Sequence, residues 1–150
     1  MILLNLPSYD FKIRKSGEKT MIFDVIRKKY VVLTREEWVR QNFIQFLIHE
    51  KHFPPTLMAI EMGFKLHQLQ KRSDIVLFNK QGNPKLIIEC KAPEVKITQD
   101  AFDQAARYNM ALNVDYLVVT NGLDHYCCKM DYEQKTYKFL KNIPDYSSVN

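Results

Sequence analysis

The sequence predicts an α/β protein, a central mixed β-sheet with two helices packed on it. Three observations carry that expectation. Residues 72–91, RSDIVLFNKQGNPKLIIECK, hold two short apolar runs around a turn-rich segment, the pattern of a β-hairpin with a longer loop. Residues 34–49 and 99–112 carry apolar side chains at helical spacing. The succession of strand 86–91, helix 99–112 and strand 116–120 needs a crossover connection, which sets the last strand parallel to the first in one sheet.

At 150 residues the chain suits one domain and is too short for two. We expect a single unit over 1–150, with its core over about 34–122, a β lead-in over 1–33, a hairpin over 123–143 and a loose tail. Apolar residues at 46% and charged residues at 26% exclude a disordered or fibrous chain. No apolar run is long enough to span a bilayer, and residues 1–6 lack the basic region of a secretory leader. A cytoplasmic protein with no membrane partner is expected. Cys90, Cys127 and Cys128 are odd in number, with two adjacent, so reduced thiols are expected. A net charge of +5 suits an anionic partner.

In chain order, residues 1–6 form a strand or a docked arm, and residues 11–15 alternate with period two. Residues 20–26 and 30–33 form a hairpin around Arg27-Lys28-Lys29, a basic turn that is solvated or touches phosphate. Thr34 opens the first helix, whose buried stripe is Val39, Phe43, Phe46 and Leu47. Thr34 and Glu37 have capping-box spacing, in which Glu37 reaches back to the Thr34 backbone N–H. An Arg40–Glu36 pair at i,i+4 would then leave Glu37 free to face a site. His49 and His52 are three apart rather than four, which excludes the zinc-protease arrangement.

After Pro54-Pro55, residues 57–66 read as a strand carrying Glu61, with Gly63 as a bulge and Lys65 or Lys71 as partners for Glu61. Residues 67–72 read as a polar loop, where Lys71 and Arg72 are candidates for a phosphate contact. Thr98 or Asp100 caps the second helix, on which Gln104 and Tyr108 share a face. Residues 125–130 and 136–140 form the last hairpin, and the chain is loose from Pro144.

The chemistry concentrates in the hairpin of residues 72–91. Folding back near Gln81 and Gly82 brings Asp74 opposite Glu89, with Lys91 on the Glu89 face. Charges at the ends of apolar strands are costly unless paired or ion-bound. Two carboxylates form a hard oxygen site suited to Mg²⁺, and a neighbouring Lys stabilises charge on a phosphate. The plainer explanation is an ion pair of Lys91 with Glu89 or Asp74.

Asp74 followed by Glu89-Cys90-Lys91 resembles the core of the PD-(D/E)xK nuclease superfamily. The wider set resembles the N-terminal nuclease domain of type I restriction enzyme motor (R) subunits. It comprises Glu36-Glu37-Trp38-Val39-Arg40-Gln41, Arg72-Ser73-Asp74, Glu89 to Pro93, Gln104 to Tyr108 and Thr120-Asn121-Gly122. Ser73 stands where the superfamily usually has Pro, and these residues contain no helicase motor, so translocation is not carried over.

The resemblance implies a restriction-endonuclease-like fold and Mg²⁺-dependent hydrolysis of DNA, with Mn²⁺ as a substitute and endonucleolytic cutting expected. Asp74, Glu89 and the Cys90 backbone carbonyl would hold the metal, and Lys91 would orient or activate water. Glu37 would add a further acid, with Glu36 and Glu61 as alternatives, and Gln104, Tyr108 and Arg72 would position DNA. Partners would be DNA and other restriction or defence subunits. The rivals are a nuclease-like DNA-binding or assembly subunit that needs partners to cut, and an interaction domain whose Asp74, Glu89 and Lys91 form an ion-pair network.

Overall fold

The computed structural model describes residues 1–66 and 69–150, and side chains outside 64–71. The pairings weighed for Glu61 with Lys65 or Lys71, and a Lys71 phosphate contact, lie outside the described residues, as do His67 and Gln68 of the expected loop.

Strands β1 (Ile13–Ser16), β2 (Lys19–Asp24) and β3 (Lys29–Val32) form an antiparallel sheet in that order. Helix α1 (Arg35–His49) follows. A second sheet then runs in the order β4 (Met58–Leu66), β5 (Leu69–Phe78), β6 (Pro84–Cys90), β7 (Tyr116–Thr120), β8 (His125–Asp131) and β9 (Thr136–Leu140). It is mixed: β6 and β7 are parallel, joined by the crossover helix α2 (Gln99–Ala111), and the other pairs are antiparallel.

The helices cover opposite faces. Val39, Phe43, Ile44 and Leu47 of α1 pack on Ile75, Leu77, Leu86, Ile88 and Val118. Phe102, Ala105 and Ala106 of α2 pack on Val76, Ile87, Leu117 and Val119. A strand buried on both sides has no solvent face to mark with polar residues, which is why β6 and β7 read as unbroken apolar runs. Each fully buried Leu, Ile or Phe here contributes roughly 1.5–3 kcal/mol.

Three expectations change, and one open alternative, at the first residues, is decided. Residues 69–72 belong to β5 rather than to a loop, because antiparallel pairing with β4, as in Met62↔Ser73 and Gly63↔Arg72, uses the backbone whatever the side chains. Gly63 therefore pairs regularly, and the irregularity falls at Glu61, which has φ +53° and is skipped by the ladder. The tail is docked: α3 (Tyr146–Val149), capped by Asp145, buries Val149 in the α1-side core and sets Tyr146 against Phe53. The first residues form a docked arm, with Leu4 buried and Asn5 N–H donating to Gly122 O at 2.8 Å. Gly122, at φ +87°, has no room for a Cβ, which would stand 2.7 Å from Leu4 Cδ2.

Candidate active site

Three carboxylates share one cross-strand row. The pairs Ile60↔Ile75 and Met62↔Ser73 bracket Glu61 and Asp74, and the Ile75↔Ile88 register continues to Asp74 and Glu89. Adjacent strands lie about 4.8 Å apart. The hairpin thus sets Asp74 opposite Glu89 as its residue pattern requires, and Glu61 completes the row.

Helix α1 meets this row with its first turns. The Arg40 guanidinium is buried and reaches Glu37 at 2.6 Å, Asp74 at 2.8 Å, and Glu36 and Glu61 at 3.3 Å. Burial alone would lower its pKa, but the Asp74 hydrogen bond and the Glu37 and Asp74 charges outweigh that and hold it above the ordinary value. Asp74 Oδ1 accepts from Arg40, and Oδ2 accepts from the Cys90 backbone N–H at 2.7 Å. The Cys90 thiol is pushed up by burial, then by the Asp74 charge.

Glu37 is differently placed from either expectation. Thr34 Oγ1 does accept from Glu37 N–H at 3.0 Å, but the Thr34 N–H bonds Val32 O, so the reciprocal half of the capping box is not made. The Glu37 carboxylate is buried and accepts from Arg27, Arg40 and Gln41. Arg40 therefore pairs with Glu37 more closely than with Glu36. Arg27 is neither a solvated turn residue nor free for phosphate, since it bonds buried Asp24 at 2.6 Å and also Glu37 and Glu61. Its neighbours Lys28 and Lys29 give no hint of this, and only the apposition of β2 and α1 creates it. In Asp24, burial would raise the pKa, but the hydrogen bonds from Arg27 and Gln41 outweigh it and hold the carboxyl below its usual range.

Glu36 keeps half its side chain exposed, and its pKa is raised, first by partial burial and then by the Asp74 charge. Glu89 and Lys91 are half-buried, and neither side chain makes a hydrogen bond or ion pair among the described residues. The cluster contains Asp24, Glu36, Glu37, Glu61, Asp74 and Glu89 against Arg27, Arg40, Arg72 and Lys91. Among the described residues that leaves two carboxylates in excess, the charge that one divalent cation balances. No group of three or more Asp, Glu, His or Cys side chains among the described residues is gathered to hold an ion by itself. Mg²⁺ keeps several waters and needs only one or two carboxylates plus phosphate, and Asp74 and Glu89 are the residues here that could supply them.

A narrow cleft of about 20 Å³ separates Asp74 and Glu89 from α2, lined also by Ser73, Ala105, Tyr108 and Asn109, and it has room for one water. A wider cleft of about 360 Å³ lies elsewhere, among Gln99, Phe102, Tyr126 and Phe139, and among the described residues no carboxylate lines it.

The family model for the type I restriction enzyme R protein N terminus (HSDR_N) matches residues 35–144. The chain belongs to this family. No curated protein matches it. A solved fragment of a protein assigned as an HsdR subunit of a type I restriction enzyme from Vibrio vulnificus YJ016 is similar over 78% of this chain, with a TM-score of 0.56 and 21% identity. The chain spans 24% of that protein chain. The fold is accordingly the restriction-endonuclease-like α/β fold, a mixed sheet flanked by helices.

In this R-subunit N-terminal domain, Tyr108 projects from α2 onto the Asp74–Glu89 cleft, and Gln104 stands one turn earlier on the same helix, exposed. Arg72 is 76% exposed and contacts Glu61 at 3.4 Å. The Thr120-Asn121-Gly122 run acts on the scaffold: Asn121 donates to Val95 O at 2.8 Å, Thr120 bonds His125, and Gly122 seats the N-terminal arm. The residue that sequence reasoning missed is Arg40 as the partner of Asp74, together with Arg27 behind it. Its signal was a cation one helical turn from two acids, which the i,i+4 rule assigned only to Glu36.

Proposed function

We propose that this domain is a Mg²⁺-dependent DNA nuclease domain that hydrolyses phosphodiester bonds at the Asp74–Glu89 end of β5 and β6. The observation that supports it is the cluster around Asp74 and Glu89, in which carboxylates outnumber cations by two among the described residues, beside a Lys91 that makes no ion pair among them. Asp74, Glu89 and the Cys90 backbone carbonyl would hold the ion, with Mn²⁺ as a substitute. When bound, the ion supplies a Lewis acid for a phosphoryl oxygen and eases deprotonation of water. Lys91 places an ammonium where it stabilises charge gained by the phosphate. Glu36, open and close to both Asp74 and Lys91, is better disposed than Glu37 to act as the further acid. Glu37, with both oxygens engaged, acts through Arg27 and Arg40. Tyr108, Gln104 and Arg72 position the DNA strand.

A second reading, a nuclease-like assembly subunit that cuts only with partner subunits, is favoured by the grip of Arg40 on Asp74 Oδ1. In that arrangement a partner must draw Arg40 away before Asp74 is available. Calorimetric titration with Mg²⁺ and Mn²⁺ of the wild type, Asp74→Asn and Glu89→Gln tests the site. Both variants should lose roughly tenfold or more in affinity, since even outer-shell changes cost that much. Unchanged affinity in both removes the site. Metal binding without plasmid cleavage, restored by added restriction subunits, selects the second reading.

A further inference from the structure

A net charge equal to that of the whole chain sits in one short segment, most of it in the small N-terminal sheet. Residues 11–30 hold Lys12, Arg14, Lys15, Lys19, Arg27, Lys28 and Lys29 against Glu18 and Asp24, a net +5 that equals the total, so the remainder sums to zero. Asp24 and Arg27 neutralise each other at the inner edge. The other six cations are exposed, and none forms an ion pair among the described residues.

Strand alternation sorts them by face. Ile22 and Asp24 point inward and are fully buried, so Lys19, Met21 and Phe23 point outward. The registers Arg14↔Met21, Phe23↔Tyr30 and Met21↔Val32, with Phe23 N–H bonding Lys12 O, add Lys12, Arg14, Tyr30 and Val32 to that outer face. It carries three cations and no carboxylate. The Arg14 guanidinium stacks 3.9 Å from the Tyr30 ring centre, Lys12 lies 5.6 Å from that of Phe23, and the two rings meet edge to face at 5.2 Å. Stacking uses the face of a guanidinium and leaves its edge N–H donors pointing outward. Like charges on neighbouring strands repel, so such a face lowers its own energy by meeting an anion.

We propose that the outer face of β1–β2–β3 is a docking surface for the DNA backbone, with Lys12, Arg14 and Lys19 on phosphates. It rests on DNA as the substrate of the proposed nuclease. The sheet abuts the candidate active site, because its β2–β3 turn supplies the Arg27 that touches Glu37 and Glu61.

The test is duplex binding by fluorescence anisotropy across a salt series. It compares the wild type with Lys12→Gln/Arg14→Gln/Lys19→Gln and with Lys135→Gln/Lys138→Gln/Lys141→Gln, which removes equal charge from exposed positions around β9. The face variant should lose roughly tenfold or more in affinity near 0.1 M salt, its salt slope falling by roughly 0.9 per phosphate contact. The matched variant should keep both. Equal loss in the two variants, or none in the first, overturns the proposal. So does wild-type binding to phosphatidylserine vesicles that the face variant loses while its duplex binding stays whole. If the triple variant loses thermal stability, Lys12→Gln/Lys19→Gln keeps the Arg14–Tyr30 stack and reads two contacts. Duplex binding through this face by a chain that never cuts DNA retires the nuclease reading alone. Normal metal-dependent cutting with an unaffected face variant retires the docking surface alone.

Discussion

Charge is met in opposite ways in two regions that share a border. Behind α1, Asp24 and Glu37 are buried, and each oxygen of both carboxylates accepts two hydrogen bonds, from Arg27, Arg40, Gln41 or the Ile26 backbone. At the open end of β6, Glu89 and Lys91 are half-buried with no side-chain partner among the described residues. The first region answers its own desolvation cost and fixes the N-terminal sheet to α1. The second leaves those charges without such partners among the described residues. Arg40 and Asp74 form the border, one residue from each region joined at 2.8 Å.

The largest expected effect breaks the first region. Arg40→Met removes the cation from between Glu37 and Asp74 and strands buried carboxylates. Its unfolding free energy should drop by about 3–5 kcal/mol in urea denaturation. A loss below about 1 kcal/mol would mean that solvent reaches the network and that the contrast between the regions is false.

Next comes Lys91→Met, which keeps the apolar stem. Stability and metal affinity should hold, while cleavage of supercoiled plasmid with Mg²⁺ or Mn²⁺ falls by roughly two orders of magnitude or more. Equal residual cleavage in both proteins would place the chemistry elsewhere or in a contaminant.

The smallest effect belongs to Glu36, at the edge of both regions. Its folded-state pKa is raised, so its ionised form opposes folding; that penalty is complete above the folded pKa and fades as pH falls through it. Glu36→Gln should therefore be more stable than the wild type at neutral pH, by less than about 1 kcal/mol because the side chain is half exposed. The gap should close on acidification through the folded pKa of Glu36. Thermal melts at stepped pH measure it, and a gap that widens toward acid would reverse the sign assigned to the burial of Glu36 and its repulsion by Asp74.

Much of the scaffold was legible because its signals are local. Period 3.6 in α1 and α2, the apolar runs of β6 and β7, and the turn residues 79–84 each depend on neighbours in sequence. The facing of Asp74 and Glu89 was legible from the hairpin pattern, whereas the register shift between Leu77 and Phe78 on the way to the turn was not. Pairings across long separations were not. The i,i+4 rule found Arg40–Glu36 and passed over Asp74, thirty-four residues away, which takes the shorter bond. Arg27 looked like any basic turn until β2 and α1 came together around it. Glu61 joined the row only because β4 extends as far as β5 does.

The sequence by itself determined the strand and helix periods, the central hairpin and the family motifs, because covalent spacing sets which side chains share a face. Only the tertiary structure decided the ionic partners. A carboxylate's environment depends on which cations the packed elements bring within a few ångströms, and that distance is no function of separation along the chain. So Glu37 became a buried anchor, Arg40 became the partner of Asp74, and Glu89 with Lys91 stayed open.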